Sequence, residues 1–306
     1  MEIRQLDYFV AVANERSFTL AAKRLFVVQS AVSAAIAALE RDLGVVLFER
    51  NAQRVVLTEA GAAFLPEALT VLDAVQTARG VVEDLGTGVR GTVRVGTLAG
   101  FDLVDIAALA GDFRRRHPGV DLKIQLSPSG SSGVAAAVRA GDLDVGFFVA
   151  VDPPHRELST RELVRVPQVL AVPEAHRLAG VRTASIADLA GEDFVDFPVG
   201  YGNRTLTDRA FAAAGVERHV AIEVYGPDSA TNFVRHGIGV SILPLYAARG
   251  EGVRIVPIEH ETFELALHVA TLRRRRPTTA VRALLGLVDE HVQRLEGTLP
   301  GRHQHQ

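Results

Sequence analysis

Gln29, Ser30, Ser33 and Ala34 fall on one side of a helix-length stretch, LFVVQSAVSAAIAALERDLG, that carries no charge from Phe26 to Leu39. The chemistry open to these residue types is hydrogen-bonded reading of a base edge. A glutamine amide can donate to adenine N7 while accepting from N6, a serine hydroxyl reaches a base or a phosphate, and alanines can touch thymine methyls. Val32, Ile36, Leu39 and Leu43 recur at gaps of four, three and four and form a separate, core-facing stripe. The helix is therefore apolar on one side only. The charge missing from its other face stands on the flanks, where Arg16, Lys23, Arg24, Arg41, Arg50 and Arg54 are candidates for phosphate or minor-groove contacts. Residues 1 to 57 hold seven basic and six acidic groups, so charge alone does not separate a DNA reader from a small helical domain that binds protein.

A second set of candidates lies where strands should end. In open α/β sheets ligands sit beyond the carboxyl ends of strands, where helix N-termini present free N–H donors. Three segments fit: Thr97 to Gly100, Ser127 to Ser132 (SPSGSS), and Tyr201 to Arg204. Thr97, Ser129 and Ser131 have hydroxyls for an anionic or polar effector, with Gly100 and Gly130 beside them, and Arg204 next to Asn203 offers a guanidinium to a carboxylate. Phe148 and Phe197 would wall the site. Each has an ordinary alternative: serines and glycines before helices are caps and turns, and buried phenylalanines are core. Asp228 reads as a helix cap, and LRRRRP, Leu272 to Pro277, as a solvated surface.

The elements that must hold these residues follow from composition and period. A chain of 306 residues with 48% apolar and 23% charged content folds into more than one core and is not disordered. It has no cysteine, which excludes disulfides, zinc knuckles and iron–sulfur clusters, and the net charge of −3 excludes a wholly basic coat protein but not a DNA-binding module. No apolar run is long enough to cross a bilayer, and Arg4, Asp7 and Glu15 interrupt the N-terminus, so the expected location is cytoplasmic, away from membranes.

Residues 1–57 read as three short helices, with Ser17 capping the second and Gly44 ending the third, followed by a small β-wing around RNAQR. Helices joined by a tight turn and followed by a wing make a winged helix-turn-helix. Residues 58–90 change period. Phe64, Ala68, Val71, Val75, Ala78 and Val82 keep a heptad seam that predicts a linker helix pairing with a copy of itself, the alternative being a core helix in a monomer. Residues 91–296 alternate strand and helix, as in a parallel sheet of βαβ units with two halves and a late return, and residues 297–306 read as a flexible tail.

LDYFVAVANERSFTLAAKRLFVVQSAVSAAIAALERDLGVVLFER and RVVLTEAG together resemble the N-terminal signature of LysR-type transcriptional regulators, and LDVGF and GIGVSILP support the likeness further along. The resemblance covers essentially the whole chain. It implies an all-α winged helix-turn-helix plus a long linker helix, then a bilobed α/β domain similar to periplasmic binding proteins. It also implies double-stranded DNA and a small-molecule effector as ligands, a homodimer or homotetramer, contact with RNA polymerase, and no cofactor, metal or catalytic residue. Two positions depart from the family pattern: Val28 stands where Ser or Thr is usual before Gln29, and Ala34 where Arg is common. Both imply modest base-directed affinity and heavier reliance on avidity.

An enzyme would need a motif that is missing here. There is no P-loop, GxSxG or HExxH and no GxGxxG at a strand-to-helix junction, and GSSG at Gly130 to Gly133 makes no nucleophile elbow. His303 and His305 lie in the tail and make no metal site. A transport-type solute-binding protein would fit the bilobed half, but it would need an export signal and leaves residues 1–90 without a role.

Overall fold

In the computed structural model, all residues are described except 52–53, 85–88, 99–103, 152–154, 249, 260–262 and 297–306. The chain divides into two compact units, Met1–Gly86 with Arg274–Thr278, and Thr87–Arg273 with Thr279–Gln306.

The first unit opens with α1 (Ile3–Glu15), α2 (Phe18–Arg24) and α3 (Gln29–Leu43). The Leu20 N–H donates to the Ser17 hydroxyl, capping α2, whereas Val28 gives α3 no side-chain cap. Val32, Ile36 and Leu39 of α3 are fully buried against Leu6, Phe9 and Val12 of α1. The hairpin β1 (Phe48–Asn51) and β2 (Arg54–Leu57) follows. Its start is held by Glu40, whose carboxylate accepts from the Leu47 and Phe48 N–H groups at 2.8 and 3.3 Å. This acidic residue on α3 fixes the wing against the helix.

The linker helix α4 spans Glu59–Asp84. Thr58 joins it to the wing: its hydroxyl accepts from the Gly61 N–H at 3.0 Å and donates to the Val46 carbonyl at 2.7 Å. The heptad seam is corrected at its N-terminal end. Phe64 packs on Phe9 with ring centroids 5.2 Å apart, and Ala68 is buried in the same cluster, so both belong to the core of the first unit. Val71 and Ala78 remain exposed and Val75 half-exposed, while the Val82 side chain lies outside the described residues.

The second unit has two lobes. In the first, β3 (Gly91–Leu98), α5 (Ile106–Arg116), β4 (Val120–Ser127), α6 (Gly130–Arg139) and β5 (Val145–Ala150) form two parallel βαβ steps. Then β6 (Leu158–Pro173) runs through both lobes. Its first part pairs antiparallel with β11 (Glu264–Leu272), which also pairs with β5; its second part pairs with β9 (Ser241–Pro244) and β10 (Val253–Pro257). Pro167 marks the change of partner, where a residue without an N–H can interrupt one ladder before the next begins. The second lobe adds β7 (Asp193–Asp196), α7 (Gly202–Ala214), β8 (His219–Glu223) and α8 (Pro227–Arg235), and α9 (Thr279–Glu296) returns to the first lobe.

Two expectations change here. The sheet is mixed rather than parallel, since β6 and β11 run antiparallel to their neighbours. The α8 cap is Gly226, with Pro227 opening the helix and Asp228 in its first turn.

Candidate nucleic-acid interface and effector cleft

On α3, Gln29, Ser30 and Ala34 are exposed and Ser33 is half-buried, so the face read from the sequence points away from the core. The Gln29 amide donates to the Ser33 hydroxyl at 2.8 Å. That bond uses one of two amide hydrogens and leaves the carbonyl oxygen and the second N–H for a base. The flanking cations divide into groups. Arg16 and Lys23 are exposed, Arg24 is paired with Glu15 at 3.4 Å, and Arg41 donates to the Ala37 carbonyl. Arg24 is thus engaged within its own module. The backbones of Arg50 and Arg54 pair with Val55 and Asn51, and their side chains lie outside the described residues.

In the second unit the N-termini of α6 and α7 meet across the two lobes. The Ser132 N–H, in the first turn of α6, donates at 3.2 Å to the carbonyl of Gly200, which precedes α7. Gly200 has φ +99°, and a β-carbon there would lie 2.8 Å from the Ser129 carbonyl oxygen. Gly202 approaches β5 so closely that a β-carbon would lie 2.5 Å from Val149 Cγ1 and 2.7 Å from its Cβ. Only glycine allows this contact.

Around this junction lie polar atoms with no partner among the described residues. The Thr97 hydroxyl, the Tyr201 hydroxyl and the Asn203 carbonyl oxygen are buried without a hydrogen bond, although Asn203 donates through its amide to the Ile242 carbonyl at 3.0 Å. Leaving such groups unsatisfied is costly, which makes them candidates for a ligand's polar atoms. Ser131 is buried and its hydroxyl accepts from the Val149 N–H at 3.1 Å, while Ser129 is exposed and precedes Gly130, which is buried against the Tyr201 ring. Gly100 lies outside the described residues.

Three sequence candidates have other roles. Arg204 is held by Asp208 at 2.9 Å, by Glu223 at 3.2 Å and by the Phe197 carbonyl at 3.1 Å, so the guanidinium offered to an effector carboxylate is already neutralised. Burial alone would lower its pKa, and Asp208 and Asp196 outweigh that and raise it. Phe148 is packed among Leu98, Val134 and Leu158, and Phe197 among Val195, Val224 and Tyr201, so both are lobe core. Tyr201, given no role of its own within the Tyr201 to Arg204 segment, stacks on Phe197 at 5.9 Å, and burial pushes its phenol up. GYGN, Gly200 to Asn203, was the available signal: two glycines around an aromatic at a helix start.

Beneath α7 is an ion network that no spacing revealed. Asp196 at the end of β7 and Arg218 are almost fully buried and bonded to each other, and Arg218 also bonds Asp208. The Arg218 guanidinium lies over the Phe194 and Phe211 rings at 5.1 and 5.4 Å. Burial pushes the Asp196 carboxyl up, against the pull of Arg218.

Comparison with known families decides what these two units belong to. Residues 3–62 match the model described as bacterial regulatory helix-turn-helix protein, lysR family, and residues 86–293 match the LysR substrate binding domain. The chain is a LysR-type transcriptional regulator. This regulator binds DNA, carries an effector-binding domain, and is not an enzyme. It is 32% identical over 282 residues to the HTH-type transcriptional regulator ShiR of Corynebacterium glutamicum, covering 89% of this chain and 93% of that one. Full-length CbnR, solved with its target DNA, shares 27% identity at a TM-score of 0.54, covering 96% of the regulator and all of CbnR. A full-length OxyR from Pseudomonas aeruginosa has the same fold at TM-score 0.67 and 22% identity, covering 96% and 95% of the two chains. No single helix among the regulator's described residues is long and apolar enough to cross a membrane.

Proposed function

We propose that residues 1–57 read DNA through the exposed face of α3, that residues 58–90 pair two copies, and that residues 91–296 bind a small polar effector where α6 meets α7. Gln29 reads a base from a position set by Ser33, Ser30 and Ala34 approach the groove floor, and Arg16, Lys23, Arg50 and Arg54 bind phosphates. Arg24 supports α1 through Glu15 instead. In the cleft, Thr97, Ser129, Ser131, Tyr201 and Asn203 meet the effector, with Gly100 and Gly130 allowing close approach. Arg204, Phe148 and Phe197 hold the walls in place. The observation that carries this reading is the pair of converging helix N-termini surrounded by buried polar atoms that lack partners. An effector oxygen would take the N–H groups that Gly200 now partly occupies.

The test is footprinting of the full chain on DNA flanking its own gene. Protection of a site is expected, with affinity falling at least about tenfold for Gln29→Ala, in the range of one bidentate base contact. Small carboxylates and neutral polar metabolites are then added singly, and at least one is expected to alter the extent of protection. No sequence-preferring protection, or protection indifferent to every metabolite, would sink the corresponding half of the reading.

Pairing is assigned to the outer part of α4, since Phe64 and Ala68 are taken up by the first unit's core. Val71, Val75, Ala78 and Val82 carry the seam. Val75→Glu is expected to give monomers in sedimentation while the unfolding of the first unit is unchanged, because Val75 lies outside its buried cluster. A Val75→Glu chain that remains dimeric would refute the seam. Dimers of dimers, contact with RNA polymerase and a cytoplasmic location follow from family likeness and complete the proposal.

A further inference from the structure

The turn between α2 and α3 carries a residue that serves no folding purpose. Phe26 is 95% exposed, whereas Tyr8, Phe9, Phe18 and Phe48 of the same unit are all buried. Its φ is +56°, in the left-handed region that asparagine and glycine adopt readily and a bulky aromatic does not. The sequence thus places an apolar ring in solvent on a backbone that disfavours it, although Asn would suit the turn better. Strain of this kind points to use by another molecule.

Position says which molecule. Phe26 directly precedes the Val27–Val28 approach to Gln29, and Val28, 68% exposed, extends the apolar surface to the first residue of α3. In a docked helix-turn-helix the first helix crosses the sugar-phosphate backbone while the N-terminus of the second enters the major groove, so the turn between them lies along the groove edge. The apolar group on that edge is the thymine C5-methyl. The Val28 and Ala34 departures fit the same picture, because they remove polar or charged contacts and leave apolar ones.

Resting on the assignment of α3 as the reading helix, we infer that Phe26 is a specificity residue that packs on a thymine C5-methyl at the border of each half-site. An apolar partner protein at the same ring is the competing occupant. The continuity of Phe26 and Val28 with the reading face favours DNA.

The experiment uses the full chain and the duplex it protects in footprinting, with each thymine replaced in turn by deoxyuridine, which lacks only the methyl. Wild type is expected to lose about fourfold in affinity at one thymine per half-site, the worth of one buried methyl. Phe26→Asn is expected to bind the all-thymine duplex more weakly by the same factor, to show no penalty at that thymine, and to melt at or above the wild-type temperature. Phe26→Asn binding as tightly as wild type, or showing an undiminished penalty at every thymine, would overturn the inference and point to a protein partner. Gln29→Ala in parallel keeps the two levels apart. If it too binds normally, the assignment of the reading helix fails; if it alone weakens binding, only the role of Phe26 fails.

Discussion

Asp196→Ala is expected to destabilise the effector-binding unit by about 3 kcal/mol, because it leaves a buried guanidinium without its main counter-charge. The Arg218 side chain is 4% exposed and Asp196 3%, so water cannot replace the lost carboxylate. Asp208, at 49% exposure, remains as a partner and keeps the cost near the lower end for a broken buried pair. For a unit of this size the change corresponds to a fall of roughly 6 to 12 °C in melting temperature. The double change Asp196→Ala with Arg218→Met should recover most of it, since the aliphatic chain can pack between Phe194 and Phe211 where the guanidinium now lies. Calorimetry of the three variants checks this. A loss below about 1 kcal/mol for the single change would mean that Arg218 is adequately solvated. The network also acts at a distance: Asp196 accepts from the Phe197 N–H at 2.7 Å, and Arg204 holds the Phe197 carbonyl, so the segment leading to Gly200 is fixed from both sides.

Gly202→Ala is expected to separate the lobes without straining its own backbone. The added carbon meets Val149 at its branched Cβ, in a strand paired on both sides, so α7 must give way. Overpacking of this kind costs about 1 to 3 kcal/mol, and the contact most directly exposed to it is the bond from the Ser132 N–H to the Gly200 carbonyl. Hydrogen exchange at Ser132 should therefore quicken at least about tenfold, with amides in the β3–β4 ladder unaffected. Unchanged exchange at Ser132 would show that the lobes do not bear on one another at this point.

Much of the first unit was legible because its signals are local. The stripe Val32, Ile36, Leu39, the cap at Ser17 and the turn of period at Thr58 each follow from neighbours within one or two helical turns. Where the reading failed, the cause was a partner remote in sequence. Phe64 and Ala68 satisfy a heptad, and a heptad does not say whether its partner is a second chain or Phe9 of the same one. For Arg204, the partner one helical turn on, Asp208, could be read from spacing, whereas Glu223, 19 residues away on β8, could not. The length of β6 is not legible locally, since Pro167 reads as a strand end when it is a change of partner within one long strand. The meeting of Gly200 with Ser132 left only a pattern of small residues at two helix starts, and nothing in either stretch names the other.

The burial of Phe64 and Ala68 makes the linker helix a spoke rather than a tether. Its first three turns are fixed in the hub of the winged module by Thr58, Phe64 and Ala68, so α4 cannot swivel without carrying α3 with it. Beyond Ala68 about 16 residues remain, a rod of roughly 24 Å. Two such rods joined near Val75 would set the separation of the two reading helices as a ruler does, and the regulator would then distinguish operators by the spacing of their halves as well as by their bases.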